Sequence, residues 1–326
     1  MYDRINNFHL SKDKYLFFDI FHKNNEIVLI CPVYTTDMNK LTNLIQSINI
    51  EHEDKKLAIK NIISKICYEP TLILIYAFES NNTTNAITVE YDNYIREYTL
   101  YHKIPSEQKF IGMTTLFKDD YNRINIFYDY YEQQGYDYYF MYYNGKLTEE
   151  IKELYNKPKI KVIEWDYSYW NEDGRNMEIH HHAQLGQIHH AIYKYGKNEV
   201  IYMGFHDLDE YLYFPGQSIK EYVKSTDYDL IGFCNRWAKT VDEFGNSSIP
   251  EKIPATLLVD KEVWRFGKRS KVIYKLDSVV SINIHNGQEF NKKEIKYNIE
   301  NTLFHIHNWS GRVIDECEYS PVQVNM

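Results

Sequence analysis

With 326 residues, 44% of them hydrophobic and 25% charged, the chain has enough apolar mass for two ordinary domains and is not a disordered protein. A net charge of −9 without a long basic run argues against a nucleic-acid partner, although a metal and a few local cations would still accept an anionic ligand. No stretch approaches the roughly 20 apolar residues of a membrane span, no apolar signal segment follows the N-terminus, and Cys31, Cys67, Cys234 and Cys317 lack Cys-x-x-Cys spacing. The expectation is a soluble, reduced, cytoplasmic protein with no membrane span.

The first hundred residues read as β-rich. Apolar runs at 15–21 and 26–30 flank His22-Lys23-Asn24-Asn25, a hairpin turn. Further strands are expected at 71–78, 86–91 and 94–100, giving a small sandwich-like domain. Ile104-Pro105-Ser106-Glu107 marks a boundary, so the chain divides into residues 1–106, an accessory domain, and 107–326. Beyond it the rhythm becomes strand, helix, strand: strands at 110–117, 136–143 and 160–165, helices at 124–134, 148–155 and 183–195, the first stopped by Gly135 and the last by Gly196. Such alternation builds a mixed, Rossmann-like α/β sheet flanked by helices, with ligands at the carboxyl ends of its strands.

The next strand, at 200–205, runs into Asp207-Leu208-Asp209-Glu210. In an extended segment Asp207 and Asp209 project together while Leu208 turns into the core. Two carboxylates at the carboxyl edge of a buried strand make a hard-oxygen site suited to Mn²⁺ or Mg²⁺ carrying a diphosphate. No Gly-x-Gly-x-x-Gly, phosphate loop or Gly-x-Ser-x-Gly elbow is present, which disfavours dehydrogenase, kinase and α/β-hydrolase chemistry. His180, His181, His182, His189 and His190 invite a zinc reading, but no further ligand is suitably spaced, and a polar helix face is the expected arrangement.

Several segments in this order resemble GT-A transferases, most closely glycosyltransferase family 92. Phe205-His206-Asp207-Leu208-Asp209-Glu210-Tyr211-Leu212 is similar to its Asp-(Ile/Leu)-Asp-Glu-Phe-Leu signature. Thr115-Leu116-Phe117-Lys118-Asp119-Asp120 resembles its opening strand ending in Lys-Asn-Glu, and Tyr142-Tyr143-Asn144 resembles its Tyr-Asp-Asn. Gln184 or Gln187 matches its helical glutamine, and Lys271-Val272-Ile273, His285 and His305-Ile306-His307 match its later strands. The likeness spans about 109–312. It departs at Asp119-Asp120 for Asn-Glu and at Asn308, where tyrosine is usual.

The resemblance implies a GT-A domain that transfers a sugar from a nucleoside diphosphate donor, UDP-linked, to a glycan or protein-linked hydroxyl. Asp207 and Asp209 would hold the metal, with His285 or His307 completing its shell and His305 an alternative. Lys271 and Gly311 would meet the diphosphate, and Asp119 and Asn144 the base or ribose. Glu243, ahead of Asp242, would be the base of an inverting reaction. Two other classes stay open: a metal-dependent nucleotidyltransferase or phosphohydrolase on the same carboxylates, and a non-catalytic carbohydrate-binding protein.

Overall fold

The computed structural model describes residues 5–11, 14–33, 35–65, 71–80, 82–102, 107–170, 182–265, 267–285, 287–290, 302–312, 314 and 317–324. Cys67, His180, His181 and most of the 104–107 boundary fall outside them. Two compact units emerge: Met1–Glu107 with Asp166–Asn198, and Gln108–Trp165 with Glu199–Met326. The chain enters the second unit next to the boundary read from sequence. It then returns to the first over Asp166–Asn198, an excursion that the strand-helix rhythm does not reveal.

In the first unit, Asp19–Lys23, Glu26–Cys31, Thr71–Ala77 and Ile59–Lys65 form one antiparallel sheet, in that order. Tyr94–Tyr101, Thr84–Tyr91, Ile48–His52 and Lys55–Lys56 form another. The run expected as one strand at 15–21 breaks at Phe18, whose N–H donates to Ile30. A helix at Met38–Gln46 was not expected; Asp37 caps it by accepting the N–H groups of Asn39 and Lys40, and Leu41 and Ile45 are buried. Helix Ala183–His190 continues as a π-helical turn, Ala191–Gly196. It is buried nearly all round, which corrects the expected polar histidine face. His189 donates from Nδ1 to the Leu185 carbonyl and is pushed down to about 4 by burial, while His190 Nε2 lies 2.7 Å from Asp19 Oδ2.

The second unit is a mixed α/β assembly, rich in sheet. Strands Ile160–Glu164, Tyr138–Tyr143, Lys109–Phe117 and Val200–Phe205 lie side by side and parallel. Lys271–Lys275 pairs antiparallel with Val200–Phe205, and Leu230–Lys239 antiparallel with Lys271–Lys275. Thr302–Ile306 then runs parallel to Leu230–Lys239 and antiparallel to Glu210–Tyr213. These directions bring the ends of the parallel strands, the start of Lys271–Lys275 and the end of Thr302–Ile306 to one sheet edge.

Helix Ile124–Gln133 covers this sheet through Ile124, Phe127 and Tyr131, and ends at Gly135, whose φ of +86° suits glycine. Its tyrosines also act through their hydroxyls: Tyr131 donates to the Glu210 carbonyl at 2.9 Å and Tyr130 to the Leu212 carbonyl at 2.5 Å. They fix the backbone just after the acidic motif. No helix among the described residues is long and apolar enough to cross a membrane.

Candidate functional site

Asp207-Leu208-Asp209-Glu210 is a turn rather than an extended segment. The Glu210 N–H donates to the Asp207 carbonyl at 3.0 Å, and the Asp207 N–H donates to Glu210 Oε2 at 2.9 Å. Leu208 is buried as expected, but the turn separates the surroundings of the two aspartates. Asp207 keeps 34% of its side chain exposed and accepts from Lys271 Nζ at 3.0 Å. Asp209 is buried against His305, whose Nε2 lies 3.4 Å from Asp209 Oδ2.

Glu210 joins the two halves. Its Oε2 lies 3.1 Å from Lys271 Nζ and its Oε1 3.4 Å from His305 Nδ1. Sheet register explains the convergence, because Glu210 is the cross-strand partner of His305 and Lys271 pairs with Phe233 on the adjoining strand. Lys271 is 1% exposed, and its ammonium sits 4.4 Å from the centre of the Phe205 ring.

The electrostatics follow from this packing. Burial raises Asp209, but the His305 ring and the guanidinium groups of Arg312 and Arg123 outweigh it and hold the carboxyl at about 2. Burial pushes Glu210 up to about 7 against the pull of Lys271, with the Asp207 and Asp209 charges adding to the rise. Burial opposes protonation of Lys271, yet Asp207 and Glu210 win and hold it firmly cationic. His206 is buried beside Asp207, stacked 5.5 Å from Tyr131 with an interplanar angle of 7°, and stays neutral because burial and Lys271 depress it.

The remaining candidates fall at varying distances from this cluster. His285 borders it: burial, then Lys271, lower its ring to about 4, and its Nδ1 is buried without a partner among the described residues. His307 has both nitrogens engaged, Nδ1 donating to the Arg312 carbonyl at 2.8 Å and Nε2 lying 2.7 Å from the Tyr319 hydroxyl. A metal at His307 would have to displace that hydroxyl. His305, between Asp209 and Glu210, is the histidine in contact with the carboxylates, and Arg312 Nη1 lies 3.0 Å from its Nε2.

Asp119 is exposed, whereas its neighbour Asp120 is partly buried, raised by burial and by the charge of Asp209 among others, with Arg123 Nη1 3.8 Å away. Asn144 ties strand ends together, its N–H donating to Phe117 and its Nδ2 to Trp165. Asp242 accepts the N–H groups of Phe244 and Asn246 and thereby shapes an exposed turn that also carries Glu243. Gly311 ends a 3₁₀ turn at φ +70° in an exposed position.

Three charged positions of the cluster escaped the sequence reading. Glu210, Asp120 and Arg123 carry charge in or beside the cluster, and the acidic run Asp207–Glu210 and the doublet Asp119–Asp120 were the signals available for the first two. Nothing in local pattern marks Arg123, which reaches the site by donating to the Trp309 carbonyl.

No curated protein matches the chain. The sequence profile of glycosyltransferase family 92 matches residues 109–325, more than half of the chain and nearly all of the unit that holds the acidic turn. The chain belongs to glycosyltransferase family 92.

Proposed function

We propose that this glycosyltransferase uses a nucleoside diphosphate sugar, UDP-linked, and transfers the sugar to a hydroxyl of a glycan or protein-linked acceptor in a GT-A type site. The observation that carries this reading is the Asp207–Glu210 turn, half-open at Asp207 and buried at Asp209 and Glu210, at the carboxyl edge of the parallel strands, with a buried cation, Lys271, held against it. In the reaction the acceptor oxygen bonds to the anomeric carbon as the bond from that carbon to the phosphate oxygen breaks. The diphosphate leaves with the electron pair, and the acceptor proton passes to a base. Stabilising the leaving charge is the main task. Lys271, Arg123 and Arg312 supply the fixed positive charge near the turn. Glu243, whose carboxylate is not spent on the turn as that of Asp242 is, remains our choice of base for an inverting reaction.

The donor set fits a divalent ion. Asp207 and Asp209 offer hard oxygens, and Mn²⁺ or Mg²⁺ is ordinarily held by one or two carboxylates plus substrate phosphates. Among the described residues no three His, Cys, Asp or Glu side chains converge to hold an ion without such help. When bound, the ion would act as Lewis acid on the phosphate oxygens. Lys271 would share Asp207 with it, and His285 or His305 would complete the shell.

Calorimetric titration with UDP tests this reading. Binding in Mn²⁺ that weakens at least roughly tenfold in EDTA is the expected result. Asp209→Asn should lower donor turnover by about two orders of magnitude or more. Equal UDP affinity in EDTA would remove the metal. Nucleoside triphosphate or phosphoester turnover without UDP release would favour a phosphoryl-transfer class.

A further inference from the structure

Next to the acidic turn, one strand face carries polar atoms that the protein leaves unanswered. Asn235 is 0% exposed, and neither its Oδ1 nor its Nδ2 has a hydrogen-bond partner among the described residues. Two residues on, Trp237 is 2% exposed and its Nε1 also lacks a partner among the described residues. Residues i and i+2 of a strand share a face, so an amide and an indole N–H stand side by side. Buried polar groups are nearly always paired, and neighbouring exceptions on one face call for an explanation.

Register places this face in the site. Trp237 pairs with His305 and Asn235 with Leu303, while Phe233, two residues before Asn235, pairs with Lys271. The Trp237 ring centre lies 4.6 Å from that of His305, whose nitrogens face Asp209 and Glu210. The indole is thus one side chain away from the carboxylates. Trp264 meets it edge-on at 5.5 Å, and the Arg269 guanidinium covers it at 5.5 Å from an exposed position at φ +53°.

We propose that Asn235 and Trp237 recognise the sugar ring of the donor, an assignment that rests on the donor reading above. The chemistry fits a polyol better than a phosphate. An uncharged carboxamide offers an acceptor and donors in one plane, matching a pair of vicinal hydroxyls, and Nε1 adds a further donor. The indole face supplies an apolar wall for the C–H side of a pyranose. A sugar attached to a diphosphate at the acidic turn would reach this pair once Arg269 moves aside.

Asn235→Leu keeps the shape and removes both orphan atoms; Trp237→Phe keeps a ring and removes Nε1. The readouts are thermal midpoint and calorimetric affinity for UDP, UDP-glucose and UDP-galactose in Mn²⁺. Replacing unpaired polar atoms by apolar ones should leave the midpoint of Asn235→Leu unchanged or higher. Affinity for whichever sugar nucleotide the wild type binds more tightly should fall roughly tenfold or more, with UDP affinity unchanged. Trp237→Phe should weaken the same ligand selectively but less.

A lowered midpoint with parallel loss of UDP and sugar-nucleotide affinity would mean that Asn235 supports the fold, for instance through a buried water, and would overturn the assignment. Unchanged sugar-nucleotide affinity in both variants would also overturn it. A wild type that binds neither UDP nor its sugars would remove the donor reading, and this assignment with it, before any variant is made.

Discussion

Lys271 is the residue on which the site turns, because one buried ammonium stands between Asp207 and Glu210. Removing it by Lys271→Met, measured at pH 8 where Glu210 is ionised, leaves that carboxylate buried and uncompensated. Breaking a buried pair in this way is expected to destabilise by about 3–5 kcal/mol, measurable by urea denaturation, and Lys271→Met/Glu210→Gln should recover part of it. A loss under about 1 kcal/mol would mean that solvent screens the pair as it does at a surface.

Glu210 itself makes a pH prediction. Its carboxyl is raised from 4.5 to about 7, so the folded state binds more proton than the unfolded between those values. Its contribution to stability is complete below pH 4.5 and is lost as pH rises through 7. Buried neutral histidines such as His285, lowered to about 4, push the other way, losing stability as pH falls from 6.5. The difference between wild type and Glu210→Gln isolates the carboxyl. The urea midpoint of the wild type should decline relative to the variant from pH 5 to 8, and parallel curves would refute the assignment. The same depression of His285 moves any loss of metal binding through its protonation well below the 6.5 of a free ring. Asp207, Asp209 and Lys271 were readable as candidates because an apolar strand precedes the first two and the family likeness covers all three. Asp120 and Arg123 were not, because their roles depend on which way a loop turns, a long-range property that spacing along the chain does not encode.

At the scale of elements, the acidic motif takes its shape from the tight turn that follows its strand. The strand was legible from the apolar run Val200–Phe205; the turn was not, since Asp-Leu-Asp-Glu fits an alternating strand equally well. Its closing bond, from the Asp207 N–H to Glu210, uses the third carboxylate, so Glu210 serves backbone and site together. The parallel half of the sheet was legible from strand-helix alternation. The antiparallel half, which supplies Lys271, Trp237 and His305, was not, because pairing order among nonconsecutive strands leaves no local trace. Gly204 tests how tightly this edge is packed. A Cβ there would stand 2.7 Å from His206 Nε2 and 3.0 Å from the Tyr136 hydroxyl. Gly204→Ala should therefore displace His206 next to Asp207, destabilise by about 1–3 kcal/mol and weaken UDP binding. Denaturation and calorimetry read the two effects separately, and a variant unchanged in both would show that the His206 ring has room to move.

At the scale of the whole molecule, the family profile covers 109–325, yet Asp166–Asn198 within that span belongs to the first compact unit. Its attachments there are chemical as well as apolar. The Tyr167 hydroxyl donates to the Phe18 carbonyl at 2.5 Å, and Asp19 Oδ2 lies 2.7 Å from both His190 Nε2 and Lys194 Nζ. The Asn6 N–H completes Asp19 at 2.7 Å through Oδ1. Burial raises the Asp19 carboxyl, but Lys194 and His190 more than offset it, so the group is held below 3.8 and its stabilisation is lost as pH falls through that lowered value. A division read from composition at 106 would cut the chain between Asp19 and its two partners. A protein beginning at 107 should then leave Ala183–Gly196 without its buried anion and much of its apolar cover, and should expose hydrophobic surface to a reporter dye. Replacing Asp19 by Ala in the full-length chain isolates the polar part of that attachment. It takes the anion away from the largely covered Lys194 ammonium, so the expected loss is about 3–5 kcal/mol, with limited proteolysis cutting first within 166–198. If Asp19→Ala leaves both the denaturation midpoint and the cleavage order of the wild type intact, the anion is dispensable and the segment is held by its other contacts, Tyr167 with Phe18 among them.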